Sequence, residues 1–291
     1  MKILPAFAFA LALTLAANSP AQSLLFDFGT TPATGTVVVS AAGANATYYG
    51  GPAGLTGNLT YNVISGTDST NNTTTTPSPY RFSDNSTATN ISLSLFTGTA
   101  YASMNSTGAP FTRTGFDGSR SGVGVFQTPA GGTKLWADLI AATNASAQTN
   151  DFLGTSIEGM AAGQYTVYMI VNNTFNSANG TLSYDLRIGQ GAAGVTNFSN
   201  FTNTTITGNF ANIASQTASW SAAENVHWAS FNINLSANNT LYLGSYRSAS
   251  GTLGVNQMGL FNGIQIVAVP EPAVASLAAL GIALLLRRRR R

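Results

Sequence analysis

Apolar and polar residues alternate with a period of two along much of this chain. In "LSYDLRI", Leu182, Tyr184, Leu186 and Ile188 fall on one face, and Ser183, Asp185 and Arg187 on the other. "FNINL" sets Phe231, Ile233 and Leu235 against Asn232 and Asn234, and "ISLSLF" sets Ile91, Leu93 and Leu95 against Ser92 and Ser94. Side chains on a strand point alternately to opposite faces, so this pattern predicts half-buried antiparallel strands. "LLFDFG", "TVVVS", "LTYNVI", "LYLGSY" and "GIQIVAV" read as further strands. "YTVYMIVNN" is apolar on both faces and predicts an interior strand. Turn residues punctuate the pattern. "AAGQ" (161–164) and "SANN" (236–239) read as short hairpin connections.

Only "TKLWADLIAAT", from Thr133 to Thr143, has a helical spacing, with Leu135, Leu139 and Ile140 on one side. Many short strands and one short helix predict an all-β fold, an antiparallel β-sandwich. The Thr-rich run Ser65 to Pro79 reads as a surface loop within a single domain spanning residues 22–268.

Composition narrows the class. Only 8% of residues are charged while 44% are hydrophobic, which is the opposite of a disordered chain. Six of the twelve bases sit at the two extremes, as Lys2 and Arg287, Arg288, Arg289, Arg290 and Arg291. Between them six bases face nine acids, so the body carries about −3 and no basic face for nucleic acid. The chain has no cysteine, and a body of this length can bury a core without disulfides.

Both extremes read as targeting segments. Residues 1–21 have Lys2, an apolar run from Ile3 to Ala17, and small residues Ser19 and Ala21 before Gln22, the layout of a cleaved secretory signal peptide. At the other extreme, Ala273 to Leu286 is an uncharged stretch of 14 residues. As a helix it would cover about 21 Å, short of a hydrocarbon core of about 30 Å. The arginines behind it resist translocation and are expected to stay cytoplasmic.

Pro270-Glu271-Pro272, a short apolar helix and an Arg cluster, in that order over residues 269–291, resemble the PEP-CTERM sorting signal of Gram-negative bacteria. The resemblance implies recognition of Pro270, Glu271 and Pro272 by an exosortase, an integral-membrane cysteine transpeptidase. It implies removal of the tail after a transient stay in the inner membrane. It also implies a place in the cell envelope or in the exopolysaccharide matrix of biofilm-forming bacteria. A Pro-x-Pro segment is extended and lacks two backbone donors, which suits presentation to an enzyme. The alternative is a permanent single-helix anchor.

A second resemblance is carried by "LLFDFG", "GMAAGQYTVYMIVNN" and "NGIQIVAV". These segments look like the strands of galactose-binding-like jelly-roll sandwiches. That likeness implies a fold and no particular chemistry.

Candidate chemistry is thin. His227 is the single histidine, and beside Trp228 it reads as a packed strand residue, so no metal site or cofactor is expected. Asp117, Asp138, Asp151, Glu158, Asp185 and Glu224 could supply a glycosidase pair, but nothing in their spacing selects two of them. "GSRSGVGVF" has the glycines of a phosphate loop without the following Lys-Ser/Thr. Asp117, Gly118, Ser119 and Arg120 could line a sugar or weakly bind calcium. Trp220, Trp228, Tyr242, Tyr246 and Arg247 cluster in the last third and are the candidates for an aromatic saccharide platform. The expectation is a non-catalytic, exported structural or adhesive protein, with a carbohydrate-binding module as the alternative and a polysaccharide-active enzyme as the third reading.

Overall fold

The structure, a computed structural model, describes residues 22–28, 35–39, 51–66, 74–75, 78–98, 110–113, 139–142, 152–171, 182–195, 197–208, 224–247 and 259–269. In chain order the strands are β1 (Ser23–Phe28), β2 (Gly35–Val39), β3 (Leu59–Gly66), β4 (Thr74–Thr75), β5 (Tyr80–Arg81), β6 (Thr87–Ala88), β7 (Ser92–Gly98) and β8 (Pro110–Arg113). They continue as β9 (Leu139–Ala142), β10 (Phe152–Glu158), β11 (Gly163–Ile170), β12 (Leu182–Gly191), β13 (Thr202–Gly208), β14 (Trp228–Leu235), β15 (Thr240–Arg247), β16 (Leu260–Phe261) and β17 (Gly263–Ala268).

Two large sheets form a sandwich. One runs β14-β11-β17-β1-β3-β2, with β4 added on β3, and the other runs β13-β12-β15-β10-β7. A single apolar core joins them. Phe26, Val167, Met169, Phe231, Ile264 and Ile266 come from the first sheet, and Leu153, Ile157, Leu186, Leu241 and Leu243 from the second. The alternating segments supply these residues as their spacing predicts: Tyr184, Leu186 and Ile188 are buried while Asp185 and Arg187 are not. The segment "YTVYMI" is indeed interior, as β11 pairs with β14 on one side and β17 on the other. Pairing is antiparallel except between β1 and β3, which run parallel with Phe26 opposite Asn62.

Two expectations are corrected. Leu139–Ala142 is a strand, not part of a helix, and residues 133–138 lie outside the described residues. Ile140 is wholly buried there between β8 and β16, opposite Thr112 and Phe261. A run of four apolar residues fits a buried strand as well as a helix, and tertiary pairing decides it. Among the described residues there is no helix.

The second correction concerns "AAGQ" and "SANN", which are not hairpins. Each carries the chain from one sheet to the other, from β10 to β11 and from β14 back to β15. Both flanking strands turn an apolar face inward, and only a crossing between layers buries both faces in one core. Asn238 takes a positive φ in the second of these corners.

Both sheets are also covered in part on their outer faces. On the five-stranded sheet Phe152, Phe198 and Tyr242 form a second buried cluster, joined by the partly buried Phe96, Val195, Phe201 and Tyr246. Arg187 Nη1 ties down the covering segment by donating to the carbonyls of Phe198 (3.1 Å) and Ser199 (2.8 Å). On the seven-stranded sheet Gln265 is fully buried, accepting from Ala53 N at 3.1 Å and donating to Tyr61 Oη at 3.2 Å.

Candidate functional site

The site begins with a buried amide. Asn62 on β3 has no exposed surface, and it replaces a missing ladder partner for β5. Its Oδ1 accepts from Arg81 N at 2.8 Å, and its Nδ2 donates to Arg81 O at 2.8 Å and to Leu25 O at 3.1 Å. Thr60 N donates to Ser83 O (2.9 Å), and Ser83 N to Ser23 O (2.7 Å). These bonds seat the small β5–β6 hairpin over the end of the seven-stranded sheet. At the hairpin's tip Asp84 Oδ1 accepts from the Ser86 amide at 2.9 Å and from its hydroxyl. The Ser86 bonds hold the Asp84 carboxyl below its ordinary pKa.

Opposite the hairpin stands the β10-to-β11 corner. Tyr165 Oη donates to Ala161 O at 2.9 Å and fixes the corner's shape, and burial pushes the phenol's pKa up. Gly159 has φ of 79°, and a Cβ built there would lie 1.7 Å from Asn90 O. Only glycine lets this corner approach the Asn90 backbone so closely.

Between hairpin and corner lies a cleft of about 420 Å³. Leu24, Ala88, Ile91, Met160, Tyr165 and Ile266 form its buried floor. Gln22, Thr87, Thr89 and Asn90 contribute exposed amide and hydroxyl groups, and Phe82, Gly159, Ala161 and Ala268 complete the wall. None of these lining residues carries a formal charge. The volume falls in the range of small-ligand pockets, about 300–1,000 Å³. Its chemistry suits an uncharged ligand with one apolar face and a rim of hydroxyls. Its described lining residues include no pair of carboxylates.

Of the aromatic residues singled out from the sequence, Trp228, Tyr242 and Tyr246 do not line this cleft, and Trp228 stands on the other sheet from the two tyrosines. Trp228, 9% exposed, faces outward on the seven-stranded sheet with its ring 5.9 Å from that of Tyr168. Its Nε1 is buried without a hydrogen-bond partner. Tyr242 is on the outer side of the other sheet and is 1% exposed. Its hydroxyl donates to Ala192 O (2.6 Å) and accepts from Val195 N (3.1 Å), so it is tied into the packing of that outer face. Tyr246 is half-buried beside the same cluster. Arg247 ends β15, while Trp220, Pro270, Glu271, Pro272 and Arg287 to Arg291 lie outside the described residues.

Two of the candidate carboxylates bond to different sheets. Asp185 Oδ1 accepts from Thr205 Oγ1 (2.7 Å) on the five-stranded sheet, and Glu224 Oε1 from Ser230 N (2.8 Å) on the other. Asp117, Asp138 and Asp151 lie outside the described residues, as does the whole of the phosphate-loop-like run. His227 is 8% exposed at the start of β14, and burial lowers its pKa to about 4. Among the described residues no group of three or more His, Cys, Asp or Glu could hold a metal.

The cleft residues Gln22, Phe82, Thr87, Thr89, Asn90 and Tyr165 were not legible as a site. They come from three separate stretches of chain, and only the turn-rich "YRFSDNST" marks one wall in advance.

No protein-family model matches the chain. No curated protein matches it. Among solved structures, the native structure of a family 35 carbohydrate binding module from Clostridium thermocellum is similar over 45% of this chain and 88% of that one. The identity is 15% and the TM-score 0.21.

Proposed function

We propose that the chain is an exported, non-catalytic protein of the cell envelope or exopolysaccharide matrix, and that its sandwich holds a neutral saccharide unit in the cleft between the β5–β6 hairpin and the β10–β11 corner. The observation that carries this reading is the cleft itself: about 420 Å³, floored by apolar side chains and Tyr165, rimmed by Gln22, Thr87, Thr89 and Asn90, with no Asp, Glu, His, Lys or Arg side chain among the described lining residues. A sugar ring offers an apolar face and a fringe of hydroxyls, which match floor and rim in turn. Delivery is assigned to the Pro270-Glu271-Pro272 motif and the apolar run behind it, acted on by an exosortase-type transpeptidase.

The test is retention of the full-length chain on immobilised neutral and acidic polysaccharides. At least one neutral polymer should hold it, and Asn90→Ala and Phe82→Leu should each weaken that binding about tenfold, near 1.4 kcal/mol, without lowering Tm. Retention that neither substitution alters would remove the cleft from the reading. Turnover of any polymer would remove the non-catalytic assignment.

A further inference from the structure

The pieces that build the cleft all lie at the end of the sandwich toward which β17 runs. Gln22 stands just before β1, and Ala268 is the last residue of β17, and both are in the cleft wall. Ala268 is paired with Tyr165 of the cleft floor, and Val269 N donates to Gln164 O at 2.8 Å. The sheet therefore holds the chain through residue 269. Pro270, Glu271 and Pro272 alone separate it from the apolar run that starts at Ala273.

The four Cα-to-Cα steps from Val269 to Ala273 span at most about 14 Å when fully extended. The headgroup layer outside the hydrocarbon is about 5–7 Å deep on each side. With the apolar run seated in a bilayer, Val269 thus stands at most about 8 Å beyond the headgroups. Two prolines in so short a connection remove most of its freedom to swing the domain away.

We propose that the cleft-bearing end of the sandwich is a membrane-facing surface while residues 273–286 occupy the bilayer, and that a polysaccharide reaches the cleft only after the chain is freed from that tail. The partner in the tethered form is the lipid headgroup layer, met by the uncharged amides and hydroxyls of the rim. This rests on the saccharide and tail readings above. It adds an order of events: release from the membrane first, saccharide capture second.

The chain has no cysteine, so a single one can report position. Thr89→Cys, at the cleft rim, and Glu224→Cys, before β14 at the opposite end, are each labelled with a fluorophore. The two ends are about 25 Å apart along β11. The full-length proteins are reconstituted into phosphatidylcholine vesicles doped with phosphatidylglycerol and a headgroup-quencher lipid. A matched pair carries a Gly/Ser insertion of about twenty residues after Val269, which adds a reach of about 25 Å.

The expected result is strong quenching at position 89, weak quenching at 224, and loss of the difference with the insertion. Unlabelled vesicle-bound protein should bind neutral polysaccharide at least about tenfold more tightly with the insertion than without it. Equal quenching at both ends, or equal polysaccharide binding with and without the insertion, would overturn the proposal. If neither form binds any polymer, the saccharide reading fails, and with it the order of events. The quenching pattern then still decides the orientation.

Discussion

His227 sits just ahead of β14 with 8% of its surface exposed, and burial holds its pKa near 4. An unfolded histidine takes up its proton near pH 6.5. Between these values the unfolded chain binds a proton that the folded chain refuses. Folding stability should therefore be flat with respect to this group above pH 7. It should fall as pH drops from about 6.5 toward 4, with a slope of at most about 1.4 kcal/mol per unit. Urea titrations at several pH values check this, with His227→Gln expected to remove that part of the slope. Gly159 acts at the same scale. Its positive φ and the 1.7 Å approach of a Cβ to Asn90 O leave no side chain a place. Gly159→Ala should cost about 1–3 kcal/mol in the same titrations and weaken saccharide retention too, since it pushes the two walls of the cleft apart.

Single elements explain what could be read in advance and what could not. β7, β12 and β14 announce themselves through period-two alternation, because each has one face in the core and one face less buried. β10 gives a poorer signal, since six of its seven residues, Phe152 to Ile157, are buried on both faces. Leu139–Ala142 misleads because four apolar residues satisfy either period. The corners at 159–162 and 236–239 carry hairpin-like residues, yet a turn sequence does not say whether the next strand returns to the same sheet. The aromatic residues of β14 and β15 were legible as a group, but a strand's two faces lead to different neighbours. Tyr242 accordingly ends beneath Phe198 and Phe201, while Trp228 lies on the far side of the sandwich. Tyr242→Phe leaves Ala192 O and Val195 N without this partner and should cost about 1–2 kcal/mol. Saccharide retention should be unchanged, and a loss of binding in this folded variant would move the site to the outer face.

Across the whole molecule, the cleft and the end of β17 meet at one end of the sandwich. The expected mature product begins at Gln22 and lacks the apolar run and arginines. Intact mass measurement on protein taken from its native envelope checks both cuts at once. A mass that retains Arg291 would leave the chain as a permanently anchored protein. The order of strands carries one more consequence. β17, the last strand, lies between β11 and β1 in the middle of the seven-stranded sheet, with Ser23 opposite Val267. Until residue 268 has emerged, β1 and β11 are two unjoined edges and the sandwich has no closed interior. A nascent chain emerging amino end first thus remains pliable enough to thread a narrow pore over almost its entire length. It locks into shape only once residue 268 is free to pair.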